Sequence, residues 1–190
     1  MPVRTPDESK RYTYKDWLDW EGRWELINGK AYNMTPAPSS EHQFIVGELF
    51  HHLRLFFGNK DCNVMVSPFD VYLSENNDFE NPDHVVQPDI SVICNKNQIV
   101  KKGSYGAPSL IVEVLSPSTA LKDFNEKFNI YQQFGVNEYW IVDPTNKICH
   151  VHGLKEGNFT QRVTYGEQDM LQSFLFVDLF IDLKTVFNMD

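Results

Sequence analysis

The stretch Ser109-Leu-Ile-Val-Glu-Val-Leu115 decides the fold. It is apolar almost throughout and is flanked by Pro108 and by Ser116-Pro117. A short run with both alternating faces apolar reads as a strand in the interior of a sheet, covered on both sides. One residue departs from that reading. Glu113 is the single charge in the run, and strand alternation places it on one face with Ile111 and Leu115. A carboxylate buried there needs a cation or a proton. The plainer alternative is a glutamate at the strand end, paired with a lysine. Strand position alone does not separate the two.

The flanking segments fill in the architecture. Pro88-Asp-Ile-Ser-Val-Ile-Cys94 and Glu138-Tyr-Trp-Ile-Val-Asp143 are further apolar strands. Between Glu113 and the second of these, a helix is predicted from Ser116 to about Phe134, ended by Gly135. Toward the N-terminus, Asn28-Gly29 joins two short runs, the strongest short hairpin signal, because both turn positions need positive φ. Tyr12 to Trp20 reads as a short helix with Thr13 as N-cap. Ser40 to Phe57 reads as a long helix whose apolar stripe is Ile45, Leu49, Leu53 and Phe56, with Gly58-Asn59 after it. Val64–Val66 and Phe69–Leu73 are strands, Ser74–Asp83 an acidic loop, and Lys96–Pro108 a basic connection. Lys147–His152 and Phe159–Tyr165 suggest a hairpin. Val177–Leu183 and a helical turn over Lys184–Met189 close the chain. The sum is an α/β (α+β) domain over residues 1–190. It has a mixed central sheet, two main flanking helices and an N-terminal hairpin.

At 190 residues the prior is one domain. The net charge of −9 argues against binding nucleic acid through a broad basic surface. It does not exclude a local basic cleft, and residues 96–130 carry five Lys against three acidic residues. The first residues are charged where an export signal needs an apolar run. No apolar stretch approaches the roughly 20 residues of a membrane span. Cys62, Cys94 and Cys149 are dispersed and odd in number, which predicts reduced thiols in a cytoplasmic protein.

Asp89 opens the strand before Glu113. If the two strands are neighbours, two carboxylates meet at one end of the sheet. Like charges at short range repel unless a divalent cation lies between them, and Mg²⁺ is satisfied by one or two carboxylates, water and substrate phosphate. On the following helix Asp123, Lys127 and Tyr131 share one face at i, i+4 and i+8. The bland reading is an Asp–Lys helix pair worth about 0.2–0.5 kcal/mol. The sharper one sends Lys127 over the strand end to the metal site, to orient a water or stabilise phosphate charge.

Pro88-Asp89, Glu113 in an apolar strand and a following lysine resemble the PD-(D/E)xK nuclease superfamily. The ordered set resembles the Uma family of restriction-endonuclease-like proteins in particular. Its marks are Glu25-Leu-Ile-Asn-Gly29, Met34-Thr-Pro-Ala-Pro38 followed by His42, Gln87-Pro-Asp-Ile90, Val112-Glu-Val-Leu-Ser-Pro-Ser118, Asp123-x-x-x-Lys127-x-x-x-Tyr131, Gly135-Val-x-Glu-Tyr-Trp-Ile-Val-Asp-Pro144 and Leu179-x-Ile-Asp-Leu-x-x-Val-Phe187. The resemblance spans about Tyr12 to Phe187. It implies a metal-dependent endonuclease that hydrolyses DNA phosphodiester bonds, with Asp89 and Glu113 holding Mg²⁺ (or Mn²⁺). Lys127 takes the place of the lysine normally two residues after the glutamate, where Leu115 stands here. Glu25 and His42 match positions near the site, Glu25 as a supporting or second-metal carboxylate. A core or capping role is the alternative for His42. Phe124 departs from the arginine expected beside Asp123. A homodimer is also implied, since relatives often cut two strands with two subunits. The competing class is a catalytically inactive nuclease-fold binding or scaffold module.

Other features read as ordinary surface or core. Pro82-Asp83-His84 lies in a polar loop, and Lys101-Lys-Gly-Ser-Tyr-Gly106 reads as a mobile loop, with a phosphate contact as its alternative. Glu48, His51 and His52 read as a solvated helix face. His150 and His152 share a strand face with no third zinc ligand in view. The tryptophans read as core or interface.

Overall fold

The computed structural model describes residues 5–7, 9–34, 37–116 and 123–189. In chain order these form α1 (Tyr14–Trp17), β1 (Trp24–Ile27), β2 (Lys30–Asn33) and the long helix α2 (Ser40–Phe57). Then come β3 (Asn63–Val66), β4 (Val71–Leu73), β5 (His84–Val86), β6 (Ile90–Ile93), β7 (Ile99–Val100), β8 (Gly103–Tyr105) and β9 (Leu110–Val114). A π-helical turn, Asp123–Lys127, runs into α3 (Phe128–Gln133). β10 (Glu138–Asp143), β11 (Ile148–Lys155), β12 (Asn158–Gly166), β13 (Met170–Gln172), β14 (Phe180–Asp182) and α4 (Leu183–Phe187) follow.

The main sheet has the order β12-β11-β10-β9-β6-β3, so the apolar run around Glu113 is an interior strand. It is mixed: β9 is parallel to β10 and antiparallel to β6. Alternation along β9 divides the core. Leu110, Val112 and Val114 pack with Ile45, Leu49 and Leu53 of α2 and with Leu183 and Val186 of α4. Ile111 and Leu115 face the other way, with Ile130 and Tyr131 of α3 and with Ile27, Val71 and Val86. Glu113 belongs to this second face.

That second face is covered by a second sheet, order β2-β1-β5-β4-β8-β7, in which the expected N-terminal hairpin, β1–β2, forms one edge. Four of its strands have three residues or fewer, too short to display an alternation. β5 begins at His84, directly after the acidic loop. The connection Lys96–Pro108 is no loose loop: it holds the β7–β8 hairpin, with β8 running parallel to β4.

The expected signals act where they were read. Asn28 (φ 50°) and Gly29 (φ 71°) are both left-handed, as a two-residue turn matching the strand twist requires. A cap not read from the sequence is Ser39, whose side chain accepts from the His42 N–H at the start of α2. The start expected for the second long helix falls on residues 117–122, outside the described residues. Its described part ends at Gln133.

The cysteines differ from expectation. β3 and β6 pair with Asn63 opposite Ile93, which brings Cys62 and Cys94 together, and the two form a disulfide. Cys149 is buried and free. Sequence spacing could not reveal this pairing, because it arises from the register of two strands. No helix among the described residues is long and apolar enough to cross a membrane.

Candidate active site

Asp89 and Glu113 are brought together by strand register. β6 and β9 pair antiparallel with Ile90 opposite Val112. One further residue along that register sets Asp89 opposite Glu113. The backbone ladder does not continue there. Instead the Val114 N–H donates to Asp89 Oδ2 at 2.8 Å. The Asp89 carbonyl accepts from the Ser67 N–H at 3.0 Å. Pro88 has no N–H, so β6 begins cleanly after it. A side-chain carboxylate thus closes the open end of β9.

Glu113 is 3% exposed. Lys127, 1% exposed, places Nζ 2.7 Å from Glu113 Oε1 and 2.9 Å from Glu25 Oε1. Tyr131, one helical turn on, donates its hydroxyl to the same Glu113 oxygen at 2.8 Å. Glu25, on β1, is fully buried and also accepts from the Gln87 N–H at 2.9 Å. Two buried carboxylates therefore share the Lys127 ammonium. His42 Nε2, from the first turn of α2, lies 3.4 Å from Asp89 Oδ2.

All five residues singled out in the sequence, Asp89, Glu113, Lys127, Glu25 and His42, converge on this place. Tyr131 was placed on the Lys127 face by spacing, but its hydrogen bond was not foreseen. A second network was missed. Arg23 donates through Nε (3.1 Å) and Nη2 (2.9 Å) to Gln87 Oε1, and through Nη2 to Ser67 Oγ (2.8 Å). Gln87 Nε2 donates to Asp70 Oδ1 at 2.7 Å. These bonds clamp the segment that leads into Pro88-Asp89. Arg23 and Gln87 are too far apart in sequence for any local signal to link them.

Burial of an acid does not by itself mark the site. Glu138, also fully buried, accepts from Trp140 Nε1, Ser173 Oγ and the Leu175 N–H at 2.6–2.8 Å. Burial pushes its carboxyl above the usual range, and these donors oppose the shift. It ties β10 to the loop after β13. Phe124 is 39% exposed, its ring 5.9 Å from that of His150.

The donor set decides which metal the site suits. Asp89 and Glu113 are hard oxygen ligands. Among the described residues no group of three His, Cys, Asp or Glu is arranged to hold a metal ion. The described residues alone therefore do not form a closed protein cage of the kind zinc or calcium takes. Two carboxylates are a donor set of the kind Mg²⁺ or Mn²⁺ accepts, the other positions going to water and phosphate oxygen.

Comparison with known proteins shows the family. The model of the Uma2 family, described as "Putative restriction endonuclease", matches residues 12–184. The chain belongs to this family. Two Synechocystis sp. proteins are similar to it, both called uncharacterized. The sll1609 protein is 29% identical over 120 residues, which cover 63% of this chain and 65% of that one. The chain thus matches just under two thirds of that relative's length. The slr1290 protein is 28% identical over 163 residues, or 83% and 82% of the two chains. A crystal structure from Anabaena variabilis ATCC 29413, described as "a putative nuclease belonging to DUF820", superposes with a TM-score of 0.73. It covers 92% of this chain and 97% of its own, at 18% identity. The fold is that of the restriction-endonuclease-like family, and the family is nuclease-like.

Proposed function

We propose that this chain is a metal-dependent endonuclease that hydrolyses phosphodiester bonds in DNA. The observation that carries it is Lys127, held between Glu113 and Glu25 beside Asp89. Asp89 and Glu113 would hold Mg²⁺ or Mn²⁺. When bound, the cation would lower the pKa of a water and polarise the scissile phosphate. Glu25 and Tyr131 fix the positions of Lys127 and Glu113. Lys127 Nζ would orient the attacking water and stabilise the charge that grows on the phosphoryl oxygens. His42 holds Asp89 from the α2 side. Family membership supports a nucleic-acid substrate. A homodimer would let two such sites act on two strands.

The burial of Lys127 favours a second reading. An ammonium enclosed by two carboxylates also serves as a structural counter-ion, and the chain would then be a catalytically inactive nuclease-fold module. Incubation of purified protein with single-stranded, double-stranded and branched DNA and with RNA, each with MgCl₂ or MnCl₂, separates the two. Metal-dependent cleavage lost in both Glu113→Gln and Lys127→Ala supports the endonuclease. Cleavage unchanged by either substitution overturns it.

A further inference from the structure

We infer that the β7–β8 turn, Lys101-Lys102-Gly103, forms a subsite for a backbone phosphate of the substrate strand, in a cavity that Gln87 lines beside the Asp89–Glu113 pair. The inference rests on the nuclease reading and adds where the strand is gripped.

A cavity of about 250 Å³ lies between this turn, Pro68-Phe69 and Gln87. Two of its walls lead into the carboxylate site. Gln87 stands two residues before Asp89. Pro68 follows Ser67, whose N–H donates to the Asp89 carbonyl. Small-molecule sites begin at about 300 Å³, so this cavity has room for the phosphate and sugar of one nucleotide rather than a whole strand.

Its electrostatics suit an anion. Lys101 and Lys102 are exposed, and among the described residues neither forms an ion pair with a carboxylate. Lys102 is held in place by neutral groups. Its Nζ donates to the Tyr14 hydroxyl at 3.0 Å and lies 5.0 Å from the Tyr72 ring centre and 5.3 Å from that of Tyr14. Its charge is thus positioned without being neutralised. The one acid in the cavity, Asp70, hydrogen-bonded by Gln87 Nε2 at 2.7 Å and the Tyr72 hydroxyl at 3.2 Å, is outnumbered by the two lysines. Phe69 and Pro68 give the sugar an apolar wall.

The turn is built to stay close. A Cβ at Gly103 (φ 152°) would lie 2.2 Å from the Asp70 carbonyl oxygen, so only glycine lets the lysines approach this near. A larger cavity, about 370 Å³, lies between the β1–β2 turn and the acidic loop, lined by Glu75, Asp83 and His84. Its lining sets two carboxylates against no lysine or arginine, so it would repel a phosphate. In a chain of net charge −9, the Lys101–Lys102 cavity is where a polyanion meets attraction next to the carboxylates.

The test is fluorescence anisotropy of a labelled DNA duplex against the full chain in CaCl₂, titrated with NaCl. Neutralising one phosphate contact is expected to reduce the slope of log K against log salt by about one. Lys101→Ala and Lys102→Ala should each flatten the slope by that amount and weaken low-salt binding roughly tenfold, with Lys101→Arg restoring both. Cleavage by wild type and Glu113→Gln is measured alongside. Wild-type binding in both lysine variants, with cleavage still lost in Glu113→Gln, overturns the subsite and leaves the nuclease reading standing. Weakened binding with no cleavage by wild type in any metal overturns the nuclease reading and supports the lysine contact. No binding by wild type overturns the subsite.

Discussion

The Val114 N–H donates to the side chain of Asp89, closing the end of β9 at 2.8 Å. Asp89 therefore has two roles that can be separated. It finishes a strand ladder, which needs only an oxygen. In the proposed chemistry it also supplies charge, which needs a carboxylate.

Asp89→Asn keeps an acceptor in place and removes the charge. The fold should hold, with stability within about 1 kcal/mol of wild type by urea unfolding. Metal-dependent cleavage should fall by more than ~100-fold, since even outer-shell partners of a metal cost about 10–100-fold. The thermal stabilisation that Mg²⁺ gives wild type should vanish with it. Retained cleavage at an unchanged Tm shift would remove Asp89 from the metal site.

Lys127→Met tests the shared ammonium. It leaves Glu25 and Glu113 buried without their common cation, and breaking a buried pair costs about 3–5 kcal/mol. A divalent cation should offset part of that loss, so MgCl₂ should raise the urea midpoint more in the variant than in wild type. Equal stability of the two proteins without metal would mean that the carboxylates do not depend on Lys127.

The parts of this molecule legible in the sequence are those with a local cause. β9 shows as an apolar run, the β1–β2 turn as Asn28-Gly29, and α2 as a helix with an apolar stripe ended by Gly58-Asn59. The carboxylate pair was legible because Asp89 and Glu113 stand on strands that are neighbours in space and close in sequence. Lys127 and Tyr131 were legible as one helix face. What failed has a non-local cause. The second sheet is made of strands too short to carry a pattern, and Arg23, Ser67, Asp70 and Gln87 are joined only by folding. That β8 would dock on β4 has no local signature beyond Gly103.

The Cys62–Cys94 disulfide predicts a redox-dependent stability. It closes a loop with a sequence separation of 32, for which chain entropy gives about 3–4 kcal/mol. Dithiothreitol should lower the urea midpoint accordingly. Alkylation of the unfolded chain without reductant should modify Cys149 alone. Identical unfolding curves with and without reductant, and three modified thiols, would show that the link is absent in solution.

His152 predicts how stability varies with pH. It is 6% exposed, and its ring lies against Phe128, with centres 5.1 Å apart, beside Phe159 and Tyr139. Among the described residues neither ring nitrogen has a hydrogen-bond partner. Burial pushes its pKa down to about 4, with Arg162 and His150 adding to the shift. The unfolded chain takes up this proton near 6.5, the folded chain only near 4. Between those values the unfolded state binds more protons, so stability rises with pH across the window. The contribution is complete above about pH 6.5 and lost below about pH 4, a span of about 3 kcal/mol. His152→Phe keeps an aromatic ring among aromatic rings and removes the proton site. Its urea stability should exceed that of wild type by a margin that widens as pH falls through the window, while the two curves run parallel above it. A margin that stays constant from pH 7 to pH 4 would show that His152 does not carry the pH dependence.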